Sequence, residues 1–536
     1  MRRTTASLLA LGLSLALALT VAPATVSTAT GAQAQSSSAA QPGRTTDRER
    51  ATRALERAKD LFSAKASSSG DGSGGGRARK QDATLVMRDL FESRGALSPS
   101  QRTIANHILA RPTDGASDPY GDGYRVPSKK KCAGNFCIHW VTSTDDAPPS
   151  RAWVTRMLKL MNHVWKKEVN KLGYRRPVSD GGRGGNDKFD VYLAQIADRG
   201  LYGYCAPERR KPGFEWLASG FCVLDNDYVG FPRSPIQSAE VTAAHEFFHA
   251  IQFGYDFGED PWLLEATATW MEERVFDGIN DNRQFLPSSQ VAVPEKPLDF
   301  FNSFLGGGEQ YGNWVFFEFL SKKFGTNVVQ QIWNKAAAFP GAPDMYSTRA
   351  IAATLKSHKG FKRVYSEFAS ANTLPAKFYA EGKSWAIPAP WAAHPITLTR
   401  AQRRTGTLAT SLLHMTSWSY QVKSSTSLRN KKWHLKVKID GPSAFRSPAA
   451  FVLVQKRHGF EKRYVHLNGK GNGQVIVPFS RKKVKAVYVT LVNASTRFKC
   501  NRKPPSNFSC NGQPIDDGRN FVGKKYKFSA NVIKRG

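Results

Sequence analysis

The chain has 536 residues, with 77 Lys or Arg against 43 Asp or Glu and a formal charge of +34. That length exceeds one ordinary domain, and 40% hydrophobic with 11% aromatic residues excludes wholesale disorder. Beyond the N-terminal stretch there is no run of about eighteen apolar residues, which excludes a polytopic membrane protein.

In chain order, Arg2-Arg3, the Leu/Ala-rich run from Ala6 to Ala22 and the small-residue site Ala32-Gln33-Ala34 read as an export signal over residues 1–34. The expectation is a secreted, extracellular protein with no integral membrane segment once the signal is cleaved. Export permits disulfides, and the six cysteines fall into three local couples: Cys132 with Cys137, Cys205 with Cys222, and Cys500 with Cys510. Residues 35–115 read as an N-terminal pro-segment or docking region. It holds a helical pattern from Asp47 to Ala64, a Gly/Ser linker from Ser67 to Gly76, and two short helices, Leu85 to Phe91 and Ile104 to Leu109, ending at Arg111-Pro112.

Residues 116–385 have a mixed pattern. Strands are expected at Ile138–Thr142, Phe189–Ile196 and Phe221–Tyr228, and a helix at Ala152–Leu172. The Gly-rich turn at Asp180–Gly185 carries Asp180, with Asp187 and Asp190 close behind; their irregular spacing reads as a solvated turn rather than a calcium loop. Helices follow at Ala239–Phe253, Pro261–Phe276 and Tyr311–Phe324, and the Pro-rich stretch from Pro388 to Pro395 closes the unit. Residues 396–536 change to a period of two: Trp433, Leu435, Val437 and Ile439 alternate with Lys436 and Lys438. That pattern predicts an all-β antiparallel sandwich, so the chain as a whole is of the α+β class. From Trp391 to Gly536 there are 29 basic and 4 acidic residues, a net +25. Such a surface suits an anionic cell-wall polymer or nucleic acid, without base-specific reading.

The chemistry is concentrated in His245-Glu246-Phe247-Phe248-His249. Positions four apart on a helix point only about 40° apart, so the two imidazoles can share one zinc ion while Glu246 takes a proton from water. A third histidine in the extended H-E-x-x-H-x-x-G-x-x-H style is absent, because Gln252 and Tyr255 stand at those positions. Glu265, in Trp262-Leu263-Leu264-Glu265-Ala266, is the candidate third ligand; Glu259, Asp260, Glu272 and Glu273 are rivals that read as surface acids. Tyr311 is a candidate oxyanion donor, and the strand Val223–Tyr228 a candidate edge for aligning an extended substrate.

The runs Thr242–Tyr255 and Trp262–Ala266 resemble gluzincin-type zinc metalloproteases, above all a group of secreted bacterial metalloproteases that share the HEFFH helix. Asp190-Val191-Tyr192-Leu193, Cys222–Asp227 and Tyr311-Gly312 are similar to that group as well, and the resemblance covers roughly residues 85 to 380. It implies a zincin-like metallopeptidase domain with a helical C-terminal subdomain, Zn2+ on His245, His249 and Glu265, Glu246 as general base, and hydrolysis of a protein or peptide substrate. The thermolysin-like pattern has an Asp four residues after the glutamate, where this chain has Thr269. The expected function is a secreted zinc endopeptidase with a basic accessory domain. The alternative is a non-proteolytic polyanion- or cell-envelope-binding protein on the same scaffold.

Overall fold

Apolar residues at helical spacing set the first element: in α1 (Asp47–Ser63), Ala51, Ala54, Leu55, Ala58 and Leu61 form the buried stripe. Helix α2 (Ala83–Ser93) follows, buried at every residue from Ala83 to Phe91, and α3 (Pro99–Ile108) opens with a capping box of Ser98 and Gln101. The computed structural model describes residues 46–63, 83–114, 123–301, 308–387, 389, 395–496 and 523–535. The export signal, the Gly/Ser linker and the Cys500–Cys510 couple lie outside the described residues. No helix among the described residues is long and apolar enough to cross a membrane.

A five-stranded sheet comes next. Its strands are β1 (Lys129–Ala133), β2 (Phe136–Trp140), β3 (Phe189–Ala194), β4 (Gly203–Arg210) and β5 (Ala218–Asp225), in spatial order β1-β2-β3-β5-β4. The central strands β2, β3 and β5 run parallel; β1 and β4 are antiparallel to their neighbours and form the two edges. The substrate-aligning edge expected at Val223–Tyr228 is corrected here: β5 is interior, and β4 is the free edge on that side. Two disulfides tie edge strands to their neighbours, Cys132–Cys137 between β1 and β2 and Cys205–Cys222 between β4 and β5.

One face of this sheet is covered by α4 (Arg151–Trp165), which runs on into a π-helical turn at Lys166–Lys171, and by α5 (Pro235–Asp256). Phe247 of α5 packs edge-on against Phe136 and Phe189, with ring centroids 5.1 and 5.5 Å away. Buried side chains cover nearly the whole of α5, which makes it a core helix rather than a surface one. Helix α6 (Pro261–Val275) packs on α5. Beyond it come α7 (Glu309–Gly312), α8 (Trp314–Phe324), α9 (Asn327–Ala336), α10 (Thr348–Leu355), α11 (Phe361–Ala371) and α12 (Pro375–Phe378).

The opposite face of the sheet buries charge. Asp190 of β3 and Glu208 of β4 point to the same side, and the Arg111 guanidinium bridges them at 2.6 and 2.7 Å, with Asp180 also at 2.7 Å. Arg111 is 2% exposed. The solvated-turn reading of Asp180 and Asp190 is therefore corrected: both are buried, and only Asp187 of the three is exposed. Strand alternation forces these acids inward, and burial is tolerable because one planar guanidinium serves them all.

The C-terminal region forms two sheets around one apolar cluster. Its strands are β6 (Ile396–Leu398), β7 (Arg404–Leu412), β8 (Thr416–Ser424), β9 (Trp433–Asp440), β10 (Pro448–Lys456), β11 (Phe460–Val465), β12 (Asn472–Pro478), β13 (Val484–Asn493) and β14 (Lys524–Lys534). They pair in the orders β11-β10-β13-β8-β6 and β12-β9-β14-β7. All pairings are antiparallel except β6 with β8. Leu435, Val437 and Ile439 of β9 face inward, as the alternation predicts. Helix α11 packs on β10 and β13, and polar bonds add to the junction: Gln290 donates to the Met415 carbonyl at 2.7 Å, and His414 Nε2 lies 2.9 Å from Asp299.

Arg111→Met should lower the free energy of unfolding by about 3–5 kcal/mol, because three carboxylates lose their buried cation. Arg463→Met, which removes an exposed partner of Glu461, should cost under about 1 kcal/mol. Urea unfolding of the two variants checks the contrast.

Candidate metal centre

Helix α5 begins at Pro235, whose fixed φ suits the first helical turn, and it carries His245 and His249 one turn apart, ring centroids 4.9 Å from each other. Helix α6 brings Glu265 against them. Its flanking Ala266 and Ala268 are small and fully buried, which lets the two helices approach closely. Glu265 Oε2 lies 3.2 Å from His245 Nε2, and Oε1 lies 3.5 Å from His249 Nε2. One ligand atom from each of the three residues lies within 4.8 Å of the other two.

The outer nitrogens are held as firmly. His245 Nδ1 is 2.8 Å from Glu272 Oε1, and His249 Nδ1 is 2.7 Å from Gln252 Oε1. The Gln252 amide is oriented by its own donations to the Leu264 carbonyl at 3.0 Å and the Thr267 hydroxyl at 3.1 Å. Gln252 therefore presents an acceptor, which makes His249 Nδ1 an N–H nitrogen and turns Nε2 toward Glu265, where it offers its lone pair once a metal replaces the proton between them. This is the tautomer a metal ligand requires.

The donor set fits zinc. Tetrahedral ligands at about 2.0–2.1 Å from an ion sit about 3.3 Å from one another, and the two N···O separations straddle that value. Charge points the same way. Burial would raise the Glu265 carboxyl, but His249 and His245 outweigh it and hold the group at about 2. Burial would lower His245, but Glu265 and Glu272 on its two nitrogens outweigh that and raise it well above the usual range. Two buried carboxylates around one imidazole favour a cation at this spot.

Glu246 stands beside the trio, 8% exposed, with Oε2 accepting from the Thr84 hydroxyl of α2 at 2.8 Å. A cavity of about 60 Å³ opens next to it, lined by His245, Glu246, Tyr202, Gly203, Phe285 and Tyr311, among others. Tyr311 stacks on Phe285 at 4.7 Å between centroids, and its ring is 6.1 Å from that of His245. Burial first, then the nearby Asp281 and Glu272, push the Tyr202 phenol up, so it remains a donor at neutral pH. Strand β4 can pass this close because Gly203 has no side chain. A Cβ there would meet Leu224 and Thr242 at 2.9 Å and Glu246 at 3.1 Å.

Of the five residues singled out from sequence, His245, Glu246 and Tyr311 line one cavity, and His249 and Glu265 pack against His245. The rival acids are corrected from surface to buried. Glu259 accepts the amides of Asp260 and Ser347, Asp260 accepts the Ser347 hydroxyl, and Glu273 accepts from Asn282. Glu272 is the outer partner of His245. The spacing carried a signal for that role, since seven residues from Glu265 is two turns along the same helix face. Gln252 and Thr84 were missed, and Thr84 has no local signal at all.

A family model described as a family of unknown function (DUF6055) matches residues 115–368. That span contains the trio, Glu246, Gln252, Glu272 and Tyr311 but excludes α1 to α3, with Thr84, and the C-terminal sheets. No curated protein matches the chain.

Zn2+ titration against a chelating dye should show one tight site per chain. Glu265→Ala should abolish it, and Glu272→Ala should weaken it by about 10–100-fold through loss of the outer bond to His245. Asp299→Asn, remote from the centre, should leave zinc affinity unchanged.

Proposed function

We propose that the chain is a secreted zinc-dependent endopeptidase, with residues 116–385 a zincin-like metallopeptidase unit of the gluzincin type. The observation that carries this reading is the convergence of two Nε2 atoms and Glu265 beside the carboxylate of Glu246, at the free edge of a sheet. The two disulfides and the export signal read at residues 1–34 support secretion.

His245, His249 and Glu265 would hold a zinc ion, which would supply Lewis-acid polarisation of a water and of the scissile carbonyl. Glu246 accepts the proton of the attacking water at a carboxylate oxygen and returns it to the departing amine. The Tyr311 hydroxyl donates to the oxygen on which negative charge develops. Strand β4, the free edge nearest Glu246, aligns the substrate backbone in extended form. Outer bonds from Glu272 and Gln252 keep both imidazoles from rotating.

A second observation favours an anionic polymer as partner of the C-terminal sheets. Lys436 and Lys438 of β9 sit opposite Asn531 and Ser529 of β14, and Lys525 and Lys527 continue along β14, alternating with the core residues Tyr526 and Phe528. Alternation puts all four lysines on the outer face of one sheet. A non-proteolytic polyanion-binding protein is the alternative function. It shares this face, but it has no use for a carboxylate placed next to the metal-ligand trio.

Glu246→Gln should retain stoichiometric zinc and lose casein hydrolysis by about 10²–10⁴-fold, since a proton acceptor is removed and no ligand is. Equal hydrolysis by variant and wild type removes the protease reading and leaves the binding one.

Changing Lys436, Lys438, Lys525 and Lys527 together to Gln should flatten the salt dependence of binding to a poly(glycerol phosphate) or to duplex DNA. The expected loss is about one unit of log–log slope for each lysine that contacts a phosphate. Retention on either polymer that does not respond to salt excludes the anchoring role.

A further inference from the structure

The edge of β4 has no strand partner among the described residues, but its backbone is not all open. The Cys205 N–H, which would pair with the backbone of a bound peptide, donates instead to Thr84 Oγ1 of α2 at 2.9 Å. The same hydroxyl donates to Glu246 Oε2 at 2.8 Å. One side chain of the chain's own N-terminal region therefore takes both the edge amide and the carboxylate that a substrate and its attacking water would use. Resting on the endopeptidase reading, we propose that α2 is an intramolecular plug: it fills the peptide-binding edge beside Glu246, and the intact chain is latent until α2 is displaced.

Three further observations bear on this. The cavity beyond Glu246 measures about 60 Å³, room for a few waters at ~10–15 Å³ each, whereas pockets that engulf a ligand run to roughly 300–1,000 Å³. The cavity lies at the Gly200–Gly203 end of β4, and at Cys205 the edge amide is taken by Thr84. Finally, α2 lies outside the matched span 115–368, while Cys205, Glu246 and the trio lie within it.

The hold is strong. Leu85, Val86, Met87, Leu90 and Phe91 are buried, Phe91 meets Phe257 edge-on with centroids 5.6 Å apart, and Arg88 donates to the Glu259 carbonyl at 2.9 Å. Arg57 of α1 pairs with Asp89 at 2.6 Å, so α1 and α2 clamp together. A backbone cut between α2 and α3, at the exposed Gly95, detaches the helix covalently from the site and leaves Arg111 with its three carboxylates. The partner this edge accepts after release is an extended peptide backbone, recognised by main-chain hydrogen bonds.

The test uses the full-length, zinc-loaded chain in three forms: wild type, Thr84→Val, and a chain with a specific protease site inserted after the exposed Gly95, cut there and freed of the N-terminal fragment. Hydrolysis of a quenched fluorescent peptide and hydrogen exchange at the Cys205 amide are read together. The expected result is hydrolysis at least tenfold faster in the cut chain than in the intact one, with Thr84→Val between them, and Cys205 protected only where Thr84 is intact and uncut. Thr84→Val keeps the test sound if the cut chain misfolds, because it removes one hydroxyl and keeps the shape. Equal hydrolysis in all three forms with unchanged Cys205 exchange overturns the plug and leaves the protease reading standing. If no form hydrolyses peptide but Cys205 loses protection in Thr84→Val, occupation of the edge by α2 stands and the protease reading falls.

Discussion

The close packing of α5 on α6 is the constraint on which the rest depends. Glu265 is 1% exposed, and a carboxylate taken so far from water must be matched by positive charge or by hydrogen bonds. His245 and His249 supply that match from the adjacent helix, and only small residues around Glu265 let the backbones come near enough. Widening the helix pair by one large side chain would strand Glu265, free both imidazoles and open the wall behind Glu246. Stability and site geometry are therefore one requirement here.

The same sheet separates two solutions to buried acidity. On one face, Asp180, Asp190 and Glu208 surround Arg111, a cation that belongs to the chain and cannot lose its proton. On the α5 face, Glu265 and Glu272 surround His245, whose ring can give up its charge and offer a lone pair. A guanidinium closes its cluster and leaves nothing to exchange. An imidazole leaves the cation exchangeable, which is why the second cluster and not the first is read as a metal centre.

Much of this was legible because periodicity reports burial. The α5 helix, Glu265 on α6 and the alternation in β9 could be read directly, and two of the three cysteine couples are disulfides in the structure. Legibility failed wherever a tertiary partner decided the outcome. Strand β4 carries Pro207 and a run of charges, Glu208-Arg209-Arg210, so it lacks the apolar alternation of a strand, and a bulge interrupts it between Pro207 and Arg209. Strand β1 is exposed throughout and begins with three lysines. Arg111 beside Pro112 looked like a helix end, because nothing nearby in sequence shows the acids that bury it. Glu272 looked like a surface acid because its partner lies 27 residues away.

Thr84 shows the limit most clearly, and it also joins the N-terminal helices to the site. Its hydroxyl reaches across 121 residues to Cys205 and 162 to Glu246, so no window along the sequence contains the contact. The helix that carries it is apolar enough to pass for ordinary core, and energetically it is core: its buried side chains are worth on the order of 1.5–3 kcal/mol each. What distinguishes it is position. A core helix whose first turn meets both the free amide of an edge strand and the carboxylate beside a metal-ligand trio is packed into the place where a substrate would lie. The burial that stabilises the fold is then the same burial that withholds the site.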